Sequence, residues 1–344
     1  MKDVSIIGVD IAKKVFQVHG VNEAGEATVR RALRRAQVLS FFAKLRPCLV
    51  GLEACGTAHY WARELEALGH RVRLMPPAYV KAYVRRNKND AADAAAICEA
   101  VSRPAMRFVA VKTAEQQAAA GLHRARSLLI KQRTMLINAV RGQMAEFGIV
   151  VPAGPQHVGK LTALLADPDE LRIPALLRAA LTTLAETLTD LKGRIAAIER
   201  QILEWGRDNA TYRHLITIPG VGPILASALP AMVPAPEIFR SGRDFAASLG
   251  LVPRQDGTGG KVRLGPISKR GNGYLRRLLV NGAMAVLNGK RARQDPWLVK
   301  LLATKKRKVA AVALANKMAR IAWAVMIRQE DFRPAFQVVP AKAA

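Results

Sequence analysis

Hydrophobic positions in the first hundred residues fall into short runs bounded by turn formers, and that pattern predicts strands. Residues 4–9 (VSIIGV) read as a buried strand ending at Asp10. Residues 15–21 and 27–31 read as two more, joined by a turn at 22–25. Residues 49–52 form a fourth, closed by Glu53 and Gly56, and residues 71–75 a fifth, stopped by Pro76 and Pro77. Residues 36–45, 59–68 and the Ala-rich 91–101 carry helical patterns. Three opening strands followed by alternating helix and strand predict an α+β layer fold with a mixed sheet.

The period then changes. Residues 114–147 are helical throughout, and 148–174 read as a connection punctuated by Pro152, Gly154, Pro155, Gly159 and Pro168. In the next helix Leu181, Leu184, Leu188, Leu191, Ile195, Ile198, Ile202 and Trp205 recur at alternate spacings of three and four. That is a coiled-coil seam, whose partner is either the 114–147 helix folded back or a second subunit. From Tyr212 onward, Ile218–Pro223 reads as a turn between helices, 239–249 as a helix, 250–273 as a Gly-rich loop, and 274–287 and 309–328 as helices. The expected domains are 1–110, 111–211 and 212–330, with a tail at 331–344.

Charge sharpens this division. The 344 residues carry 54 Lys+Arg and 26 Asp+Glu, a formal net charge of +28, of which residues 212–344 hold +17. Excess positive charge gathered in one region is the footprint of a polyanion partner. Half the residues are hydrophobic, which excludes a disordered basic tail. Cys48, Cys55 and Cys98 match neither a disulfide framework nor a zinc spacing, so a reducing cytoplasm is expected. The apolar stretch 309–327 holds Asn316, Lys317 and Arg320 near its middle, which argues against a membrane span.

Four carboxylates stand at positions where strand ends and a helix start can converge: Asp10, Glu53, Asp90 and Asp93. Asp90 and Asp93, three apart, share one helix face. Clustered carboxylates repel unless a cation neutralises them, and hard divalent ions, Mg²⁺ above all, take all-oxygen sites. Taken singly, Asp90 could cap its helix and Glu53 could pair with an Arg.

These acids sit in strings that resemble a known family. GVDIAK at 8–13, GLEACGT at 51–57 and NKNDAADA at 87–94 are similar to the ribonuclease-H-like (RuvC-like) DEDD domain of the insertion-sequence one-ten transposases, which are described as bridge-RNA-guided recombinases. IPGVGP at 218–223, AASLGLVPR at 246–254, GGKVRLGPISKRGN at 259–272 and YLRRLL at 274–279 match the family's C-terminal half, in the manner of the eleven-eleven subgroup. The resemblance implies a DNA transposase and recombinase with Asp10, Glu53, Asp90 and Asp93 as its Mg²⁺ ligands. It implies partners too: the DNA of element ends and target, a guide RNA, and further copies of the chain in a dimer or tetramer through the helical seam. Its place would be a bacterial-type cytoplasm, associated with the nucleoid.

The resemblance further implies a nucleophilic hydroxyl shortly after the Leu-x-Pro motif. The family has Ser-Gly there, and this chain has Thr258-Gly259. Thr258 as nucleophile, Ser268 in its place, and an impaired enzyme are the three readings; the glycines flanking Thr258 favour the first. Around it lie Arg254, Lys261, Arg263, Lys269, Arg270, Arg276 and Arg277, the expected phosphate contacts. The IPGVGP turn fits either a phosphate-binding helix–hairpin–helix or a plain connection. Two competing functions remain: an actin-like or sugar-kinase-like ATPase, since IIGVDIAK also resembles a phosphate loop, and a non-catalytic nucleic-acid-binding protein.

Overall fold

The computed structural model describes residues 3–83 and 90–334. The Asn87–Asn89 part of the third acidic string and the tail from residue 335 lie outside them. The chain divides into two compact units, Met1–Gln117 with Met232–Ile238, and Ala118–Ala231 with Phe239–Ala344.

The first unit runs β1 (Ile6–Asp10), β2 (Val15–Val21), β3 (Ala27–Arg34), α1 (Val38–Phe42), β4 (Leu49–Glu53), α2 (Ala58–Ala67), β5 (Arg71–Met75), α3 (Pro77–Val80) and α4 (Asp90–Val101). The five strands form one mixed sheet in the order β3-β2-β1-β4-β5. β1, β2 and β3 pair antiparallel, whereas β1, β4 and β5 pair parallel, with Gly8 opposite Gly51. The mixed α+β architecture expected from the pattern is therefore present.

Side chains alternate across a strand, so each sheet face collects every second residue. One face sends Ile7, Val9, Val50, Leu52 and Leu74 into a core with Phe16, Trp61 and Leu65. The opposite face carries Ile6 and Leu49 against Ile97, Ala100 and Val101 of α4. Between them lie Gly8 and Gly51, which have no side chain to hold α4 away. A Cβ on Gly8 would stand 2.2 Å from the Ala94 carbonyl oxygen and 2.3 Å from the Cys98 nitrogen, and one on Gly51 2.8 Å from Val101 Cβ. The helix backbone thus lies directly on β1. The small side chains of α4 (DAADAAAICEAV) suit that approach from the helix side.

The second unit is mostly helical: α5 (Ala114–Ala145, whose first turn belongs to the first unit), α6 (Val158–Ala166), α7 (Ala175–Asp208), α8 (Ala210–Leu215), α9 (Pro223–Met232), α10 (Gly242–Ser248), α11 (Gly273–Asn288), α12 (Arg291–Gln294), α13 (Pro296–Thr304) and α14 (Arg307–Arg328). α6 falls within the expected connection, and α12 and α13 lie between the two final helices expected at 274–287 and 309–328. The Gly-rich 250–273 is also more regular than expected. It holds a hairpin, β6 (Pro253–Thr258) and β7 (Lys261–Ile267), turned by Gly259 and Gly260 at φ of 56° and 79°. Two consecutive positive φ values suit the two-residue turn that matches strand twist.

The seam of α7 is covered within one chain. Leu181 and Leu188 join Ile137, Val140 and Met144 of α5 and Leu161 and Leu165 of α6 in one cluster, and Leu191, Ile195 and Ile202 are buried too. Of the two partners the periodicity allowed, the chain itself covers these positions. α14 is long and apolar enough by composition to span a membrane, but half of its most apolar window is buried in the unit. Ala315, Met318, Ala319 and Ala322 are each at most 2% exposed, as in a core helix. The IPGVGP turn packs inward: a Cβ on Gly282 of α11 would meet the Gly220 carbonyl oxygen at 2.0 Å, so close packing accounts for this turn.

Candidate active site

Period two puts Asp10 on the same sheet face as Ile6 and Gly8, and Glu53 on the same face as Leu49 and Gly51. Both acids end strands that pair in parallel, so they leave the sheet at one edge. α4 brings its first turn, with Asp90 and Asp93, to Asp10. One carboxylate oxygen from each of Asp10, Asp90 and Asp93 lies within 4.8 Å of the other two. Asp90 is exposed, and Asp10 and Asp93 are half-buried. The positive N-terminus of α4 offsets part of their mutual repulsion. Three hard oxygen donors at this separation fit a divalent cation that retains open positions for phosphate oxygens.

Glu53 reaches the same edge but is not part of that three-carboxylate group. Its field is still felt locally. Burial, then the charges of Glu53 and Asp10, push the Cys55 thiol above its ordinary pKa. Cys55 is thus a neighbour of the acids, although its sequence reading yielded only a redox compartment. Cys48 and Cys98 are buried, and burial pushes both up to about 11, so they are inert thiols.

The second feature is the hairpin. Its register pairs Thr258 with Lys261 and Asp256 with Arg263, so these four residues share one face. Gly257, Val262 and Leu264 share the other. Directly opposed residues of an antiparallel pair are close neighbours, which sets Lys261 across from Thr258, while Arg263 lies across from Asp256 further along the same face. Every residue from Pro253 to Pro266 is exposed, Val262 at 60% and Leu264 at 67%. Ser268, the competing hydroxyl, lies half-buried at the hairpin root, where its backbone N–H donates to the Val252 carbonyl at 2.8 Å.

The expected phosphate contacts separate into two groups. Arg254, Lys261, Arg263, Lys269 and Arg270 are exposed on or beside the hairpin. Arg276 instead donates to the carbonyls of Leu249 at 2.8 Å and Arg270 at 2.9 Å, tying the hairpin root to α11. Arg277 donates to Ser127 at 2.9 Å and lies over the Tyr274 ring. Next to that ring, His123 is 1% exposed. Ser227 Oγ donates to the Ile224 carbonyl, so it accepts from His123 Nε2–H, while Nδ1 accepts from the Tyr274 hydroxyl. Burial, reinforced by Arg126, lowers the His123 pKa to about 4. Neither His123 nor Tyr274 was singled out from the sequence; a lone buried histidine has no spacing signature. Trp61 is a core residue, whereas its neighbour Tyr60 is 42% exposed.

Comparison with known proteins places both features in one family. Residues 212–297 match the family described as "Transposase IS116/IS110/IS902 family", and residues 7–149 match the DEDD transposase family of the same group. The chain is 50% identical over 336 residues to a probable family 20 transposase of Pseudomonas aeruginosa, covering 96% of this chain and 99% of that protein. It is 42% identical to the transposase for insertion sequence element IS1328 of Yersinia enterocolitica, over 94% and 97% of the two chains. It is 40% identical to the transposase for insertion sequence element IS1111A of Coxiella burnetii, over 97% and 92%. The chain belongs to the IS110/IS116/IS902 transposase family. As a transposase it cuts and rejoins DNA and mobilises an insertion sequence, and DNA is its substrate. Membership removes the ATPase and the non-catalytic binding readings. The match over residues 7–149 contains the acids, and the match over 212–297 contains the hairpin.

Proposed function

We propose that this transposase exchanges DNA strands with two chemically distinct sets of groups, a Mg²⁺-binding acidic tetrad and a threonine nucleophile. The observation that carries the reading is the convergence of Asp10, Asp90 and Asp93 within 4.8 Å at the end of β1. Asp10, Asp90 and Asp93 would hold the metal, with Glu53 joining them from the adjacent strand end. A bound Mg²⁺ supplies charge stabilisation to a phosphoryl group under displacement. The strand order β3-β2-β1-β4-β5, with acids at one edge, supports a ribonuclease-H-like (RuvC-like) first domain over 1–110. Residues 111–211 then form a helical hairpin and 212–330 the domain that presents the nucleophile.

Thr258 attacks the phosphodiester phosphorus. Its Oγ1–P bond forms as the P–O bond to one sugar breaks, and the proton lost by the threonine is balanced by the one gained by the departing sugar oxygen. Lys261 and Arg263, on the same hairpin face, compensate the charge that builds on the non-bridging oxygens. Reversal with a different sugar hydroxyl rejoins the strand. A guide RNA encoded by the element would select the DNA, and several copies of the chain would bring element ends and target together in the nucleoid.

A DNA strand-cleavage assay with guide RNA tests the metal. Asp10→Asn should cut at least a hundredfold more slowly than the parent while keeping its melting temperature and DNA affinity. Addition of EDTA to the parent should have the same effect. Full activity in either case would remove the metal site.

A further inference from the structure

At the foot of the hairpin the second unit contains an open groove of about 1410 Å³, floored by α14 and walled by Pro253, Pro266 and Ile267. Two indole rings, Trp297 and Trp323, line it, and so do four cations, Arg243, Lys308, Lys317 and Arg320. Among the described residues, no acid lines it. Trp297 is 38% exposed, and the Lys317 ammonium lies 4.3 Å from its ring centroid. The acidic tetrad and the attack by Thr258 use none of these groups.

An apolar floor with aromatic walls and a cationic rim suits an occupant that is flat and apolar in one part and anionic in another. Unpaired nucleotides have that combination. Their bases stack on aromatic rings regardless of sequence, and their phosphates meet Lys and Arg. A duplex does not qualify, because its base faces are already stacked on one another. The volume exceeds the roughly 300–1,000 Å³ usual for one small molecule. We propose that this groove holds a short run of unpaired nucleotides, with Trp297 as the stacking platform and Lys308, Lys317 and Arg320 on its phosphates. Lys317 already lies over the Trp297 ring, so an arriving phosphate draws the ammonium aside and uncovers the indole. The groove adjoins the root of the hairpin that carries Thr258, so single strand bound there would be held next to the point of exchange. That last link rests on the function proposed above; the groove chemistry stands without it.

The test uses the full chain and three labelled probes: a twelve-residue thymidine oligomer, its uridine counterpart and a twelve-base-pair duplex. Fluorescence anisotropy gives the affinities. Trp297→Ala should lower the ratio of single-strand to duplex affinity roughly tenfold, and Trp297→Phe, which keeps a ring, should restore most of it. Unchanged melting temperatures show that the variants fold. Iodouridine placed in the oligomers should photocrosslink to Trp297 or α14, and whichever of the DNA and RNA oligomers crosslinks more strongly names the source of the strand. An unchanged ratio in Trp297→Ala, or crosslinks mapping elsewhere, overturns the proposal. So does self-association of the parent that disappears in Trp297→Ala, since the groove would then be filled by a second copy. Metal-dependent cleavage by the parent is measured separately, so cleavage that persists in EDTA would refute the tetrad without bearing on the groove.

Discussion

Around Asp10 the chain is packed from both sides, whereas around Thr258 both strands stand in solvent. The first setting fixes geometry from within: β1 is a central strand, α4 lies on its backbone at Gly8, and three carboxylates meet as a result. The second fixes only a register. The hairpin aligns Thr258 with Lys261 and Arg263, but nothing in its own strands is buried. A metal site tolerates little displacement of its ligands, so it belongs on a rigid sheet and helix. On the function proposed above, Thr258 is carried on an exposed, projecting element that DNA can reach.

A single added carbon should separate the two regions most sharply. Gly8→Ala forces its Cβ against backbone atoms of α4, so α4 must shift and carry Asp90 and Asp93 away from Asp10. We expect a loss of about 1–3 kcal/mol in stability, with strand cleavage falling further than the population of folded protein explains. Gly257→Ala on the hairpin, where the Cβ meets only the Lys261 carbonyl oxygen at 3.4 Å, should leave melting temperature unchanged. Equal melting temperatures for Gly8→Ala and the parent would break the comparison.

Beneath the hairpin the second unit has a rigid part of its own, and pH should reveal it. His123 has a folded pKa near 4 against 6.5 when unfolded, so the unfolded chain binds more protons between these values. Stability is fully present above pH 6.5 and is lost as pH falls toward 4, by about 3 kcal/mol in total. Thermal melts from pH 7.5 to 4.5 should show this decline, and His123→Gln should flatten it. A parent whose melting temperature is constant over that range would show that His123 carries no buried constraint.

The smallest effect expected is at the hairpin surface. Lys261→Ala should reduce the dependence of DNA affinity on salt by about one counterion without altering the melting temperature. An unchanged salt slope would place Lys261 away from the phosphates.

The sheet was legible because its alternation is dictated by burial. Each of the five strands starts within two residues of the place the pattern predicts. What the pattern could not show was why Gly8 and Gly51 stand where they do, since a helix far along the chain imposes that need, through its backbone at Ala94 and Cys98 for Gly8 and through the Val101 side chain for Gly51. The grouping of Asp10, Asp90 and Asp93 was legible from strand end and helix start, yet whether Glu53 closes on them depends on a few ångströms of side-chain reach that spacing does not encode. The hairpin was hidden by its glycines and charges, which obscure the alternation of Lys261, Val262, Arg263 and Leu264. α13 had a readable start, with Asp295 accepting from the backbone N–H groups of Trp297 and Leu298 and Pro296 at the first helical position. α6 was masked by the prolines and glycines around it, although Leu161 and Leu165 keep a helical spacing.

The account stands most directly on Thr258 as the residue that becomes joined to DNA. Labelled DNA is incubated with the full chain, guide RNA and Mg²⁺, resolved by denaturing electrophoresis, and any adduct is mapped by peptide sequencing. The adduct should map to Thr258, vanish in Thr258→Ala with nucleic-acid binding retained, and persist or increase in Thr258→Ser, which removes the crowding methyl. An adduct on Ser268, or one that survives in Thr258→Ala, would contradict the account, as would a parent that recombines DNA with no adduct at all.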